Sequence, residues 1–94
     1  MKKGSRLYRL AEIAEVPAEA LFGVSRVEIV GGLKVRIENQ RGIVRFGQSE
    51  VIVAVPEGRV VIEGSGLTID WLDRPVIVIG GQVSGLRFEG RAEP

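Results

Sequence analysis

The chain has 94 residues, 45% of them hydrophobic, and a formal net charge of +1. This length and composition predict one soluble domain with a single hydrophobic core, and so small a net charge gives no field that would attract nucleic acid. The absence of Cys and His excludes disulfides, thiolate and imidazole catalysis and most zinc or haem ligation.

Residues 1–23 predict a helical lead-in. Ser5 can cap a short amphipathic helix, Pro17 interrupts it, and Gly23 stops a further turn. The apolar positions recur every three or four residues, at Leu7, Leu10, Ala11 and Ala14. Because no apolar run approaches the roughly 20 residues of a membrane span and no signal peptide is recognisable, we expect a cytoplasmic protein.

The lead-in also holds the main basic cluster, which consists of Lys2, Lys3, Arg6 and Arg9. A solvated tail is the simpler interpretation. The alternative is a membrane-surface or nucleic-acid binder that uses this helix, although four charges without aromatic side chains are a weak basis for one.

From residue 24 onward the apolar period changes from 3.6 to 2, which predicts strands with one buried face. About eight short strands are expected, separated by turn sequences that include Gly64-Ser65-Gly66, Asp73-Arg74-Pro75 and Gly80-Gly81. We therefore predict an all-β domain over residues 24–90, an antiparallel meander folded as a small β-sandwich with the N-terminal helix on its edge. Residues 1–94 form one domain in this interpretation.

A small parallel β-solenoid is the alternative fold. Gly31, Gly47, Gly64 and Gly80 are 16 or 17 residues apart, as in a repeat of stacked coils. Such a solenoid would place Ile29, Phe46, Ile62 and Ile79 in one ladder.

The stretch from residue 37 to residue 43 divides two alternating runs. Asn39 and Gly42 tolerate left-handed backbone conformations, so the stretch predicts a tight hairpin turn in which Gly42 has a positive φ. Glu38 and Arg41 have no nearby partner with which to form a catalytic site. The predicted signature turn comprises Ile37, Glu38, Asn39, Gln40, Arg41 and Gly42.

Two apolar features farther along suggest burial or association. Trp71 shares its parity with Leu67 and Ile69, so we expect it to be largely buried. The run without polar alternation, Val76, Ile77, Val78 and Ile79, is either a central strand or an edge that pairs with another chain, and it is our candidate interaction strand. We expect Ile77 on its outward face.

We predict no catalytic, cofactor-binding or metal-binding residue. Four acids, Glu38, Glu63, Asp70 and Asp73, could in principle pair as acid and base, but their positions at strand ends and turns indicate solvated carboxylates. An enzyme is therefore the weaker alternative. The expected ligand is a protein partner or a second copy of the chain, with no nucleic acid and no small-molecule substrate.

The ordered motifs of the chain resemble the YabP/YqfC family of sporulation proteins in endospore-forming bacteria, most nearly its YqfC type. These motifs are Val16-Pro17, Val27 to Gly31, Ile37 to Ile43, Val61 to Gly64 followed by Leu67, and Gly80 to Phe88. Gln40 stands where the family often has His, and Gly32 stands where Asn is common.

The resemblance implies a non-enzymatic protein that acts in the mother cell during late spore formation, in envelope, coat or cortex maturation. It further implies a structural or adaptor module beside a sporulation membrane protein, located in the cytoplasm and peripheral at the forespore membrane. Binding through strand edges and self-association are the physical means that the residues suggest.

Overall fold

A computed structural model describes residues 24–90, which form six antiparallel strands in a single sheet. The spatial order is β1-β2-β6-β5-β4-β3. The strands are β1 (Arg26–Val30), β2 (Lys34–Glu38), β3 (Gly42–Phe46), β4 (Glu50–Val55), β5 (Gly58–Leu72) and β6 (Val76–Gly90). The all-β class and the antiparallel meander are confirmed.

The predicted N-terminal helix and the basic cluster at residues 2–9 lie outside the described residues. Within residues 24–90 there is no helix, and so none that could span a membrane. The same part of the chain contains no second, separate sheet such as a sandwich would have.

The strands number six rather than eight because β5 and β6 are long and bent. Gly64-Ser65-Gly66 and Gly80-Gly81, predicted as turns, lie inside these two strands. The two glycine-containing stretches lie near each other in the sheet, since Gly64 is opposite Val83. Gly66 and Gly81 have positive φ angles of 59° and 119°, and the β5–β6 register shifts between Ser65 and Thr68. The glycines and the bulge therefore bend two paired strands together instead of ending them.

The bends divide the sheet into two portions. The first contains β1, β2, the beginning of β6 and the end of β5, and the second contains β3, β4, the beginning of β5 and the end of β6. Buried side chains of both portions form one cluster, which consists of Val35, Ile37, Val51, Val53, Val55, Val60, Ile62, Leu67, Ile77 and Ile79. The apolar alternation of the sequence thus supplies one core between the two portions.

The solenoid alternative is wrong, because every strand pairing is antiparallel. None of the four residues that it would stack lies opposite another of the four. Ile29 lies opposite Val35, and both Phe46 and Ile62 lie opposite Val51, whereas Ile79 lies between Val35 and Ile69.

The interpretation of residues 39–42 as a hairpin turn is also wrong. β2 is second from one end of the sheet and β3 is at the opposite end, so the two strands are not paired and the link between them is a crossover. The turn chemistry was interpreted correctly, since Asn39 and Gly42 have φ angles of 69° and 126°. A turn-rich sequence does not specify whether the chain continues to a neighbouring strand or to a distant one.

The other loops between strands do connect paired neighbours. The first hairpin contains Gly31 and Gly32 and is closed by a 2.9 Å hydrogen bond from the amide of Leu33 to the carbonyl of Val30. The β3–β4 loop is closed by a 2.8 Å bond from Gly47 to Glu50. These hairpins fix the register that places the alternating apolar residues on one face.

Candidate protein-binding surface

Gln40 lies at the centre of the crossover link. It is the one buried polar residue of the described chain, with 7% of its surface exposed. Its Nε2 donates to the carbonyl of Asp73 at 3.1 Å, and its Oε1 accepts from the amide of Gly42 at 2.7 Å. Only this orientation of the amide satisfies both neighbours, because a carbonyl oxygen cannot donate and a main-chain N–H cannot accept.

Main-chain hydrogen bonds extend this arrangement to both portions of the sheet. The amide of Gln40 donates to the carbonyl of Pro75 at 3.0 Å, and the amide of Arg41 donates to the carbonyl of Ala54 at 2.7 Å. The link therefore joins the β5–β6 turn to β4. The polar groups of the link can be buried because they form hydrogen bonds within the protein.

Asn39 ties the same link to the start of the described chain. Its Nδ2 donates to the carbonyl of Val24 at 2.9 Å, while its backbone occupies the left-handed region. Asn is among the few non-glycine residues that adopt this conformation readily. The signature residues thus act as a structural joint: Ile37 is fully buried in the core, and Glu38 forms an ion pair with Arg36.

Beside this joint the end of β5 exposes large apolar side chains. Trp71 is 58% exposed and Leu72 52% exposed. The expectation of a buried Trp71 is wrong because the register shifts between Ile69 and Trp71, so Trp71 lies opposite Val78 whereas Ile69 lies opposite Ile79. The extra residue reverses the parity on which the expectation depended.

Among residues 24–90, the segment Thr68–Leu72, which we call the Trp71 edge, has a sheet neighbour on one side only. It pairs with β6, whereas β4 pairs with β5 only from Gly58 to Glu63. The unpaired side can accept a further strand, as in β-augmentation. An open cavity of about 260 Å³ adjoins the end of this edge and is lined by Gln40, Gly42, Ile43, Leu72, Asp73 and Arg74.

Charges around the Trp71 edge are unevenly matched. Lys34 donates to the carboxylate of Asp70 at 2.6 Å and Thr68 donates to it at 2.7 Å, and these two hydrogen bonds lower the pKa of Asp70 below its ordinary value. Arg41 and Arg74 are exposed and form no ion pair within residues 24–90. The cavity is lined by one cation, Arg74, and one carboxylate, Asp73, and Arg41 lies in the chain between the lining residues Gln40 and Gly42.

The outer face of β1 and β2 carries a compact network of four charges. Arg36 forms ion pairs with Glu38 and with Glu28, the latter at 3.5 Å, and Arg26 forms a further pair with Glu28 at 3.5 Å. The hydrogen bond to Glu38 is the main reason why the pKa of Arg36 is raised. Opposite charges thus alternate across two neighbouring strands.

Three of the four candidate acids have a cation as hydrogen-bond partner. Glu63 accepts a hydrogen bond from Arg87 at 2.9 Å, Asp70 is bonded to Lys34, and Glu38 is bonded to Arg36. Each of these three acids is paired with its own cation. Glu38 and Asp70 lie in the first portion of the sheet, and Glu63 lies in the second. Among residues 24–90 no group of three acidic, His or Cys side chains is placed to bind a metal ion.

The candidate interaction strand Val76 to Ile79 occupies the middle of the sheet. Its backbone pairs with β2 on one side and with β5 on the other, so it presents no free edge. Ile77 is fully buried, and the expectation that it faces outward is wrong. The unalternating pattern arises because Val76 and Val78 lie half-buried on the outer face, beside Glu38 and Arg36.

Sequence reasoning missed Leu72 and Arg74 as surface residues of one site. A bulge that changes parity has no dependable signature in the sequence, and the free side of β5 follows from where β4 ends. Trp71 was the only signal of this surface in the sequence, and its parity predicted that it would be buried in the core.

The fold and this surface define a small all-β protein in which part of β5 is unpaired on one side and carries an exposed Trp. The chain belongs to the YabP family, whose sequence profile matches residues 23–94. It is similar to the uncharacterized protein YqfC of Bacillus subtilis strain 168, with 28% identity over 79 residues that cover 84% of this chain and 85% of that protein. The family predicted from the sequence motifs is thereby confirmed. No solved structure matches the chain.

Proposed function

We propose that this protein is a non-enzymatic adaptor of spore formation that binds a protein partner along the Trp71 edge. Membership of the YabP family supports a role in sporulation. The proposed place of action is the mother cell, at the periphery of the forespore membrane, during envelope, coat or cortex maturation. A sporulation membrane protein is the kind of partner that the family resemblance implies.

The observation that carries the proposal is the exposure of Trp71 and Leu72 beside an unpaired strand side. A partner segment can pair with the backbone of Thr68–Leu72 while its side chains contact these two residues. Backbone pairing gives affinity and side-chain contacts give specificity in this binding mode. Trp is also the residue type most often found to dominate the binding energy of interfaces.

Charge supports the same surface. Arg41 and Arg74 form no ion pair within residues 24–90. Arg74 lines the cavity at the end of the Trp71 edge, and Arg41 follows the lining residue Gln40 in the chain. An acidic residue in the partner segment would therefore gain a cation without breaking an existing ion pair. The proposed partner segment is extended, apolar in part and acidic at one end.

The proposal is tested by site-specific photo-crosslinking in sporulating cells. A photoreactive phenylalanine analogue at Trp71 should give a discrete crosslinked product with one sporulation protein. The same analogue at Phe88, which is also about half exposed but lies on the end of β6, is the matched control. Equal products from both positions, or none from position 71, would contradict the proposal.

A functional test uses the double substitution Trp71→Ser with Leu72→Ser. Because both side chains are exposed, the variant should fold normally, yet it should lower spore yield as severely as loss of the protein. The control is Phe46→Ser, another exposed aromatic position on β3. Wild-type sporulation by a folded double variant would refute the role of this edge.

A further inference from the structure

The outer strand β1 has properties that differ from those of the other outer strand, β3. β1 pairs with β2 over five consecutive residue pairs without a register shift, so its free side is regular. β3 carries a bulge between Ile43 and Arg45. Bulges at an edge hinder the addition of another strand, whereas a regular edge invites it.

The regular edge also carries apolar side chains that the rest of residues 24–90 leaves exposed. Val30 is 64% exposed, and its neighbours Ile29 and Leu33 are each more than half exposed. We propose that β1 is the self-association surface of the protein. Two copies of β1 pair antiparallel across a two-fold axis that passes between their two Val27 residues. This inference concerns a different strand from the Trp71 edge and does not depend on the proposed partner.

The charges of β1 select this register. With Val27 opposite its own copy, Arg26 lies opposite Glu28 of the second copy, and Glu28 lies opposite that copy's Arg26. Moving the two-fold axis to position 28 would place Glu28 opposite Glu28, and moving it to position 26 would place Arg26 opposite Arg26. A shift by a single residue would turn the apolar faces of the two copies to opposite sides.

The pairing also continues the charge network already present in each copy. Within one chain, Glu38 of β2 lies opposite Arg26 of β1, and Arg36 of β2 lies opposite Glu28 of β1. The second copy adds Glu28 next to Arg26 and Arg26 next to Glu28, so opposite charges alternate across four strands without a like-charged neighbour. Farther out on the same face the exposed Val24 comes opposite the exposed Val30.

The start of the strand sets the limit of backbone pairing. The amide of Ser25 donates to the carboxylate of Glu57 at 3.0 Å and so is already used. The paired segment therefore centres on residues 26–28. An interface this short depends strongly on its charge pairs, and we expect it to weaken as the salt concentration rises.

Charge reversal provides the test. By sedimentation equilibrium, the 94-residue protein should dimerise, whereas Arg26→Glu and Glu28→Arg should each raise the dissociation constant at least about tenfold, because each creates two like-charged contacts. A one-to-one mixture of these two variants should restore dimers, since every contact then joins opposite charges. Arg45→Glu, a charge reversal on β3, is the matched control and should dimerise like the parent protein.

Cysteine crosslinking checks the register independently. The chain contains no Cys, so a single introduced thiol reports one position. Directly opposed residues of an antiparallel pair have Cα atoms about 4.5 to 5.5 Å apart, within the range of a disulfide. Val27→Cys should therefore form a disulfide-linked dimer in mild oxidant, and Val44→Cys on β3 should not.

Circular dichroism establishes that each variant is folded before it is compared. A monomeric parent protein at high concentration would overturn the proposal. Folded charge variants that dimerise like the parent, or a mixture that stays monomeric, would also overturn it. Equal crosslinking at positions 27 and 44 would show that β1 is not the specific edge.

Discussion

Gln40 and Asp73 are joined by a hydrogen bond from the buried side-chain amide of Gln40 to the main-chain carbonyl of Asp73, which is 3.1 Å long and partly buried. Together with the bond that Gln40 accepts from Gly42, it fixes the crossover link against the β5–β6 turn. The link can therefore be tested by changing one atom of the amide.

Gln40→Glu keeps the shape of the side chain but removes the donor, so an ionised carboxylate would face the carbonyl of Asp73. We expect a loss of about 1 to 3 kcal/mol in the free energy of unfolding at pH 7, because a buried partner is left unsatisfied. Protonation restores a donor, so the introduced carboxyl should have a raised pKa in the folded protein. The deficit should shrink as the pH falls toward 4 and grow as the pH rises.

The measurement is urea unfolding at several pH values, compared with the parent protein. Gln48→Glu supplies the control, since Gln48 is an exposed loop residue. A Gln40→Glu deficit that does not vary with pH would show that the lost donor is not its cause.

Gly42 tests the backbone of the same link. Its φ of 126° is favourable for glycine alone, and an added Cβ would have no atom within 4 Å. Any loss of stability in Gly42→Ala therefore reports backbone strain and not a collision, and we expect about 1 to 3 kcal/mol. Thermal melting of Gly42→Ala should be compared with Gly47→Ala, whose φ is not positive and whose new Cβ would meet only an ordinary contact. Equal melting temperatures would disprove the strain.

Local chemistry predicted much of this fold. The alternation of apolar residues identified the strands, and Asn39 and Gly42 were recognised as left-handed positions. The strand order was not predictable in this way, because Gly64-Ser65-Gly66 has the same composition whether it ends a strand or bends one. The difference lies in a partner strand with Gly81 at the matching place, which is a long-range relation.

The candidate site was less predictable for a related reason. Parity placed Trp71 in the core, and a one-residue bulge moved it to the surface. The lack of alternation in Val76 to Ile79 likewise predicted either a central strand or an edge and could not decide between them. The free edges of this protein depend on where neighbouring strands stop, and that follows from the pairing of the whole sheet.

Asp70 provides a titration test of the ion pair near the Trp71 edge. Its hydrogen bonds from Lys34 and Thr68 favour the charged form, so its pKa lies below the ordinary value. By carboxyl-carbon NMR, Asp70 should titrate below the ordinary pH range of an Asp side chain. Lys34→Met should raise the pKa of Asp70 toward its ordinary value.

The same pair has a defined effect on stability. Because the folded-state pKa is lowered, its contribution is present above the unfolded-state pKa and is lost as the pH falls through the folded-state value. The difference between the parent protein and Lys34→Met should therefore disappear in strongly acidic solution. An Asp70 pKa that is unchanged in Lys34→Met would contradict the assigned cause.

Ile77 and Val78 are adjacent residues that test which face of β6 is internal. Ile77 belongs to the core cluster, so Ile77→Ala should lower the free energy of unfolding by about 2 to 5 kcal/mol. Val78 is half-buried on the outer face, and Val78→Ala should cost about 1 kcal/mol or less. Chemical denaturation of the two variants gives the comparison. Similar losses would mean that both faces are packed alike.

Trp71 is the single Trp of the chain, so its fluorescence reports one environment. With 58% of its surface exposed, its emission maximum in the isolated protein should lie near that of free indole in water, and iodide should quench it efficiently. Trp71→Ala should change the free energy of unfolding by less than about 1 kcal/mol, far below the 3 to 5 kcal/mol of a buried Trp, because little apolar surface is lost from the interior. A control, Leu67→Ala, removes a fully buried side chain of the same strand and should cost several-fold more. A blue-shifted, unquenched emission would place Trp71 in an apolar environment and would rule out the exposed edge on which partner binding depends.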